Sequence, residues 1–274
     1  MRPMLESIVG QTRDFVQSAG YADVVIGLSG GIDSSVVAAV AVDALGASHV
    51  HGVLMPGPFS SEHSIVDAER LAGALGIEAP RMPITPPYEA FAHVFADAGQ
   101  GPLTGLAAEN TQARCRMVVL MALSNAYGWL LLNTGNRSEA YMGYSTLYGD
   151  TAGAFAPIGG LLKSQVYMLA RHINAEAEAA GCVAPIPESV LTKPPSAELA
   201  PDQRDEEAMG IDYPTLDGIL EAHLDRGLGA EAIVAEGFEA EAVAYVLERA
   251  EKTAFKRALE PPFAIAPALT RQAH

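Results

Sequence analysis

The chain has 274 residues, of which 49% are apolar and only 18% charged, and its formal charge is −16. This length and composition suit one large domain or two small ones with a sizeable core, and they exclude a disordered or low-complexity chain. So negative a surface repels nucleic acid and polyphosphates at long range, so a nucleotide site here needs glycine amides, a helix N-terminus, Mg²⁺ and a few placed cations.

Two cysteines, Cys115 and Cys182, make no disulfide framework. No cluster has zinc-ligand spacing. No apolar run approaches the roughly 20 residues that span a bilayer, and the first residues lack a signal core. The expectation is a soluble protein of a reducing cytoplasm with no nucleic-acid or membrane partner.

In chain order, residues 5–19 have helical spacing and end at Gly20. Residues 23–28 read as a short buried strand around Val24-Val25-Ile26, and a glycine loop follows it. An Ala/Val-rich helix over 35–45 closes at Gly46. A strand over 49–55, a Pro/Gly/Ser loop through Ser61 and a helix over 65–75 repeat the pattern. A third strand is expected over 79–84, a long helix over 109–127, a fourth strand over 129–132 and a helix over 162–173. Strands alternating with helices predict an α/β fold, a doubly wound parallel sheet with helices on both faces. Ligands bind such a sheet beyond the carboxyl ends of its strands. Beyond Gly181, five prolines mark an irregular stretch. Helices are expected over 215–225 and 239–258, then an irregular tail from Pro261.

Leu28-Ser29-Gly30-Gly31-Ile32-Asp33-Ser34-Ser35 is the most informative segment. Adjacent glycines let backbone N–H groups converge on an anion, Ser29, Ser34 and Ser35 add hydroxyl donors, and the next helix points its positive end there. No Gly-Lys-Ser/Thr closes the loop, so it is not a Walker A motif. Asp33 is unusual in an anion-binding loop. It makes sense as a ligand to a divalent cation that bridges to phosphate, or as a cap on the helix.

Ser-Gly-Gly-x-Asp-Ser resembles the signature of the N-type ATP pyrophosphatases, which cleave ATP between the α and β phosphates and use the AMP to activate a carbonyl or acyl group. Further along, Glu109-Asn110-Thr111-Gln112-Ala113-Arg114-Cys115-Arg116-Met117 resembles a helix motif of the NAD synthetases. So do Leu132-Asn133-Thr134-Gly135-Asn136-Arg137-Ser138-Glu139, Tyr148-Gly149-Asp150 with Leu162-Lys163-Ser164, and Lys193-Pro194-Pro195-Ser196-Ala197-Glu198-Leu199. In order and spacing, the resemblance runs from about residue 22 to 220.

The resemblance to the ammonia-dependent NAD synthetases implies an adenine nucleotide alpha hydrolase-like, Rossmann-like fold. It implies one domain over 1–274, with a phosphate loop at about 183–212 and a helical part over 213–274. ATP and Mg²⁺ would be used to adenylate deamido-NAD, and ammonia would then displace AMP. By the resemblance Asp33 and Glu139 hold Mg²⁺, and Lys163 neutralises the departing pyrophosphate. Ser29, Gly30, Gly31, Ser34, Ser35, Thr134 and Ser196 contact ATP. Arg114 and Asn110 bind the acid dinucleotide, and Asp150 stands by the ammonia-reactive centre. Helical geometry puts Arg114 and Met117 on one face and turns Arg116 elsewhere, and Lys193 reads as a solvated lysine. A homodimer through the long helix is implied, and a separate glutaminase subunit is a further partner it allows.

Departures are Ser60 and Ser61 where some members carry arginine and glutamine for ATP, and Met121 in place of an aromatic. Neither cysteine has a glutaminase setting. The alternatives are another pyrophosphatase-loop enzyme, nucleotide-amidating or tRNA-modifying, and a non-catalytic AMP or ATP sensor. The acidic charge weighs against tRNA, and a pyrophosphate-neutralising lysine is superfluous in a sensor.

Overall fold

Side-chain alternation in the first strand sets the layers. The computed structural model describes residues 1–267. β1 (Val24–Gly27) turns Val24 and Ile26 to one face and Val25 to the other. The first face packs on α1 (Arg2–Ser18) and α2 (Ile32–Leu45). α2 has apolar residues all round because it lies between the sheet, α1 and a later helix. β2 (Val50–Val53) and α3 (Glu62–Leu75) come next. Then come α4 (Thr85–Asp97), α5 (Gly105–Tyr127) and β3 (Leu130–Leu131). Cys115 and Leu120 of α5 pack with Val25, Val53 and Leu131 on the sheet's second face.

The three strands are parallel in the order β2-β1-β3, with Val24 opposite both Val50 and Leu130. Order reverses at β1, so a crevice opens beyond the carboxyl ends of β1 and β3, where ligands bind in such sheets. A Val or Ile side chain buried as these are contributes about 1.5–3 kcal/mol, which keeps β1 fixed beneath the glycine loop.

α6 (Arg137–Met142) and α7 (Lys163–Ala179) follow, then α8 (Glu188–Thr192) and α9 (Asp205–Met209). α10 (Tyr213–Leu220), α11 (Ala230–Ala235), α12 (Ala240–Lys252) and α13 (Ala254–Arg257) end the described helices. α10 to α12 enclose a separate apolar cluster, Leu216, Ile219, Val243 and Val246, which α6 and α7 join through Met142 and Leu162.

Several sequence expectations are corrected. The strand over 79–84 shrinks to one parallel pairing of Arg81 with Leu54, because Pro80 and Pro83 have no N–H to donate to a ladder. α4 lies where no helix was expected; Pro86 and Pro87 open it, and it buries no residue, so periodicity could not flag it. The stretch at 183–212 contains the short α8 and α9. The helix over 239–258 breaks at Thr253, between α12 and α13. The tail is irregular over 261–267 apart from Phe263, which pairs with Ala156; its remainder lies outside the described residues.

Candidate active site

The crevice is a cavity of about 610 Å³. Ser29, Gly31 and Ser34 form one wall. Gly31 is the N-cap of α2 and no side chain caps that helix, so its first-turn N–H groups face the cavity. Ser34 Oγ lies 3.1 Å from Ser29 Oγ. Asp33 does not cap the helix. Its Oδ1 accepts from Asn136 Nδ2 at 3.0 Å and its Oδ2 from Lys163 Nζ at 2.6 Å.

α6 supplies the opposing group. Asn136 caps it by accepting from the Glu139 N–H at 3.0 Å, which places Glu139 in the first turn. Lys163 Nζ then donates to Glu139 Oε1 at 3.0 Å. Lys163 is only 2% exposed, and its ammonium sits over the Tyr213 ring, 5.1 Å from the centroid. Burial opposes that charge, but Asp33 and Glu139 outweigh it and hold Lys163 protonated well above the usual lysine range. Burial pushes the Glu139 carboxyl up to about 7; Lys163 opposes this, and Asp33 and Asp205 add to it. Three carboxylates thus converge on one lysine, an arrangement short of positive charge.

Asp33 and Glu139 offer hard oxygen donors in the first turns of the two helices, α2 and α6, that flank the crevice. Two carboxylates with open space for phosphate oxygens and water match what Mg²⁺ takes from proteins, so the residues present fit that ion. Asp150 opens onto the same cavity and accepts from the Thr146 N–H. Burial pushes its carboxyl up to about 6, although that N–H, Lys256 and Arg116 act in the other direction. Asn110 and Thr134 line the cavity, and Asn110 Oδ1 accepts from Thr146 Oγ1 at 2.6 Å. Ser196 also lines it, its Oγ donating to the Gln203 carbonyl at 2.6 Å.

Three expected contacts are not brought to the cavity. Gly30 lies under α3: a Cβ there would fall 2.1 Å from the Ser64 carbonyl oxygen. Ser35 is buried and its hydroxyl donates to the Gly31 carbonyl at 2.7 Å. Arg114 sits on the outer face of α5, where its Nε donates to the Leu147 carbonyl at 3.1 Å. Asn110, Ala113, Arg116, Met117 and Leu120 form the face that lines the cavity, so Arg116, expected elsewhere, points inward and donates to the Met55 carbonyl at 3.1 Å. Counting turns from Asn110 leads to Arg114, four residues on, so helical spacing gave no signal for Arg116. Lys193 also lines the cavity, held by Asp67 and Ser64 at 3.1 Å each. Lys256 and Asp205 line it too, and only the acidic run at 202–207 signalled the latter.

The NAD synthase family model matches residues 4–260. The chain belongs to the NAD synthase family. It is 44% identical over 254 residues to the glutamine-dependent NAD(+) synthetase of Thermotoga maritima, covering 93% of this chain and 43% of that protein. The chain spans less than half the length of the curated relatives it matches. Two solved structures match nearly end to end. The NH3-dependent NAD synthetase of Campylobacter jejuni has a TM-score of 0.72 at 29% identity, over 98% of this chain and 99% of that one. The NMN synthetase of Francisella tularensis has a TM-score of 0.76 at 30% identity, over 99% and 98%. Membership in the family and the α/β fold agree with the sequence reading. The subtype is divided, since the Thermotoga maritima relative is glutamine-dependent and the Campylobacter jejuni one is NH3-dependent. Among the described residues, no helix is long and apolar enough to cross a membrane.

Proposed function

We propose that this chain is an AMP-forming ligase that adenylates the nicotinate carboxylate of deamido-NAD with ATP and amidates it with ammonia. The observation that carries the reading is Lys163, buried between Asp33 and Glu139 at the open end of an uncapped helix. A carboxylate is a poor electrophile with a poor leaving group. Its oxygen attacks the α-phosphorus, and the bond to pyrophosphate breaks. Ammonia then attacks the acyl carbon, expels AMP and loses a proton. Positioning and charge neutralisation supply most of the catalysis.

Asp33 and Glu139 would hold Mg²⁺, which neutralises phosphate charge when bound. Lys163 faces the departing pyrophosphate. Ser29, Gly31, Ser34, Thr134 and Ser196 receive ATP, with Arg116 and Lys193 as added cations. Gly30 and Ser35 shape the loop rather than touch the nucleotide. Asn110 contacts the acid substrate from within the cavity, and Arg114 does so from the outer face of α5. That face also exposes Val118 and Met121, and suits a second copy of the chain. Replacing Val118, 65% exposed, by Glu should halve the mass seen by light scattering; an unchanged dimer mass would reject α5 as the interface.

Ammonia is read as the direct nitrogen donor. Burial raises the pKa of Cys115, and neither Cys115 nor Cys182 lines the cavity. A glutaminase, on a separate subunit or on another part of a longer chain, would feed ammonia to this site. The test supplies ATP, Mg²⁺, ammonium and deamido-NAD: NAD and AMP should appear together, and ADP in place of AMP rejects the mechanism. The match to an NMN synthetase motivates a second arm with the mononucleotide acid. A higher kcat/KM for that acid would change the substrate and keep the chemistry.

Asp150 gives this reading a pH signature. A base is active only when deprotonated, so with a carboxyl near 6 the rate with ammonia should rise as pH increases through about 6. Asp150→Asn should remove that limb and lower kcat/KM for ammonia about 100-fold. An identical limb in the variant would assign it to another group.

A further inference from the structure

Lys163 is held from two sides by one helix that lies far from it in sequence. Tyr213 and Asp217 are one turn apart on the buried face of α10, so both point at the start of α7. The Tyr213 ring lies under the ammonium, and its hydroxyl reaches Glu139 Oε1 and Asp205 Oδ2 at 3.5 Å each. Asp217, 3% exposed, works on the other end of the residue. Its Oδ2 accepts from the Ser164 N–H at 2.7 Å. Its Oδ1 accepts from the Ser138 hydroxyl, whose oxygen in turn accepts from the Lys163 N–H at 2.9 Å.

These contacts fill a gap in the local structure. α7 has Leu162 as its N-cap residue, whose side chain has no oxygen to offer. The first two N–H groups of the helix would be orphaned in a buried site. Asp217 satisfies both, one directly and one through Ser138. Ser138 lies between Asn136, which holds Asp33, and Glu139, which holds Lys163. One buried carboxylate therefore sets the relative placement of α6 and α7, and with it the spacing of Asp33, Glu139 and Lys163. Burying a carboxylate is costly unless hydrogen bonds satisfy it, and a cap alone could have come from a serine or threonine at position 162.

We propose that Asp217 is a positioning residue for Lys163: through Ser138 and the start of α7 it holds the ammonium between Asp33 and Glu139 in the geometry that receives pyrophosphate. The inference rests on the ligase reading for its kinetic consequence only.

The chain has four lysines, 163, 193, 252 and 256, so reductive methylation with formaldehyde and cyanoborohydride, read by peptide mass spectrometry, reports each separately. In the parent, Lys163 should react slowest. In Asp217→Asn it should react at least about tenfold faster while the other three stay within about twofold, and kcat should fall about 10–100-fold with KM for ATP changed less than about threefold. Ser138→Ala, which removes one hydroxyl, should move both readouts the same way by several-fold. Should Asp217→Asn loosen the whole fold, all four lysines will accelerate together, and Ser138→Ala decides. Selective acceleration of Lys163 there supports the proposal, and an unchanged Lys163 rate overturns it. A parent enzyme that forms no NAD overturns the ligase reading instead and leaves the lysine measurement standing.

Discussion

Asp33→Asn should lower the rate of NAD formation at least about 1,000-fold, equivalent to about 4 kcal/mol of transition-state stabilisation, while the protein remains folded. Asparagine has the same shape, so α2 and the glycine loop keep their places. What changes is charge and hydrogen-bonding sense. Asp33 accepts from both Asn136 and Lys163. An amide offers one oxygen, so one of those donors would meet an N–H. The proposed metal loses one of its two protein carboxylates and keeps Glu139 alone. Folding is spared because the site is rich in negative charge, with Glu139 and Asp205 close by; removing one of three carboxylates relieves repulsion as well as breaking a pair with Lys163. The checks are steady-state NAD formation and calorimetric titration of ATP with and without Mg²⁺. The variant should bind ATP with little Mg²⁺ dependence. A variant within tenfold of the parent rate would remove Asp33 from the metal site.

The layered fold was legible because β1, β2 and their helices carry strong local signals: buried Val and Ile runs, closing glycines and an Ala/Val helix. Elements without such a signal were not. α4 leaves Phe91 and Val94 exposed and buries none of its residues fully, although Tyr88 packs against the core on the sheet's second face. The strand at 79–84 has the right composition, but two prolines reduce its pairing to one bridge.

At the site, the residues visible in sequence were those whose chemistry is odd for their setting. Asp33 in an anion loop and Glu139 after a strand-end Asn are of this kind. Arg114 and Arg116 were indistinguishable by type, and only the rotation of α5 separates them. Tyr213, Asp217 and Asp205 are ordinary residues in sequence. They become informative when α9 and α10 fold back against α6 and α7, a placement set by long-range apolar packing of Leu216 and Ile219 with Met142 and Leu162. The same packing brings Lys163, Lys193, Arg116 and Lys256, from α7, the end of α8, α5 and α13, to one cavity, where they offset part of the charge of carboxylates such as Asp33, Glu139, Asp150 and Asp205 that line it too.

Gly30→Ala should impair both stability and nucleotide binding, for two separable reasons. Gly30 has φ +76, a left-handed conformation that costs an L-residue about 1–2 kcal/mol. The added methyl would also lie 2.1 Å from the Ser64 carbonyl oxygen, a backbone atom in the first turn of α3 that cannot rotate away. Either the glycine loop or the start of α3 must move. The loop is the softer of the two: α3 is fixed there by its Ser61 cap and by Glu198, whose carboxylate accepts from the Ser61 N–H and from the Ser61 and Ser64 hydroxyls. Displacing the loop turns the first-turn N–H groups of α2 away from the phosphates. Those N–H groups are the main positive charge the loop itself contributes, so ATP affinity should fall at least about 100-fold, close to 3 kcal/mol. Stability should fall by more than the backbone term alone. For a chain of this length about 2–4 °C accompanies each kcal/mol, so Tm should drop by at least about 5 °C. Thermal melting without ligand isolates the folding cost, and the ATP-induced rise in Tm, which should nearly vanish, isolates the binding cost. Neighbouring Gly31 is the control. Its φ is −91 and the nearest atom to an added Cβ is the Ser29 hydroxyl at 3.2 Å, which can rotate aside. Gly31→Ala should therefore lose less than a third of the Tm that Gly30→Ala loses; equal losses would mean that the contact with Ser64 does not set the shape of the loop.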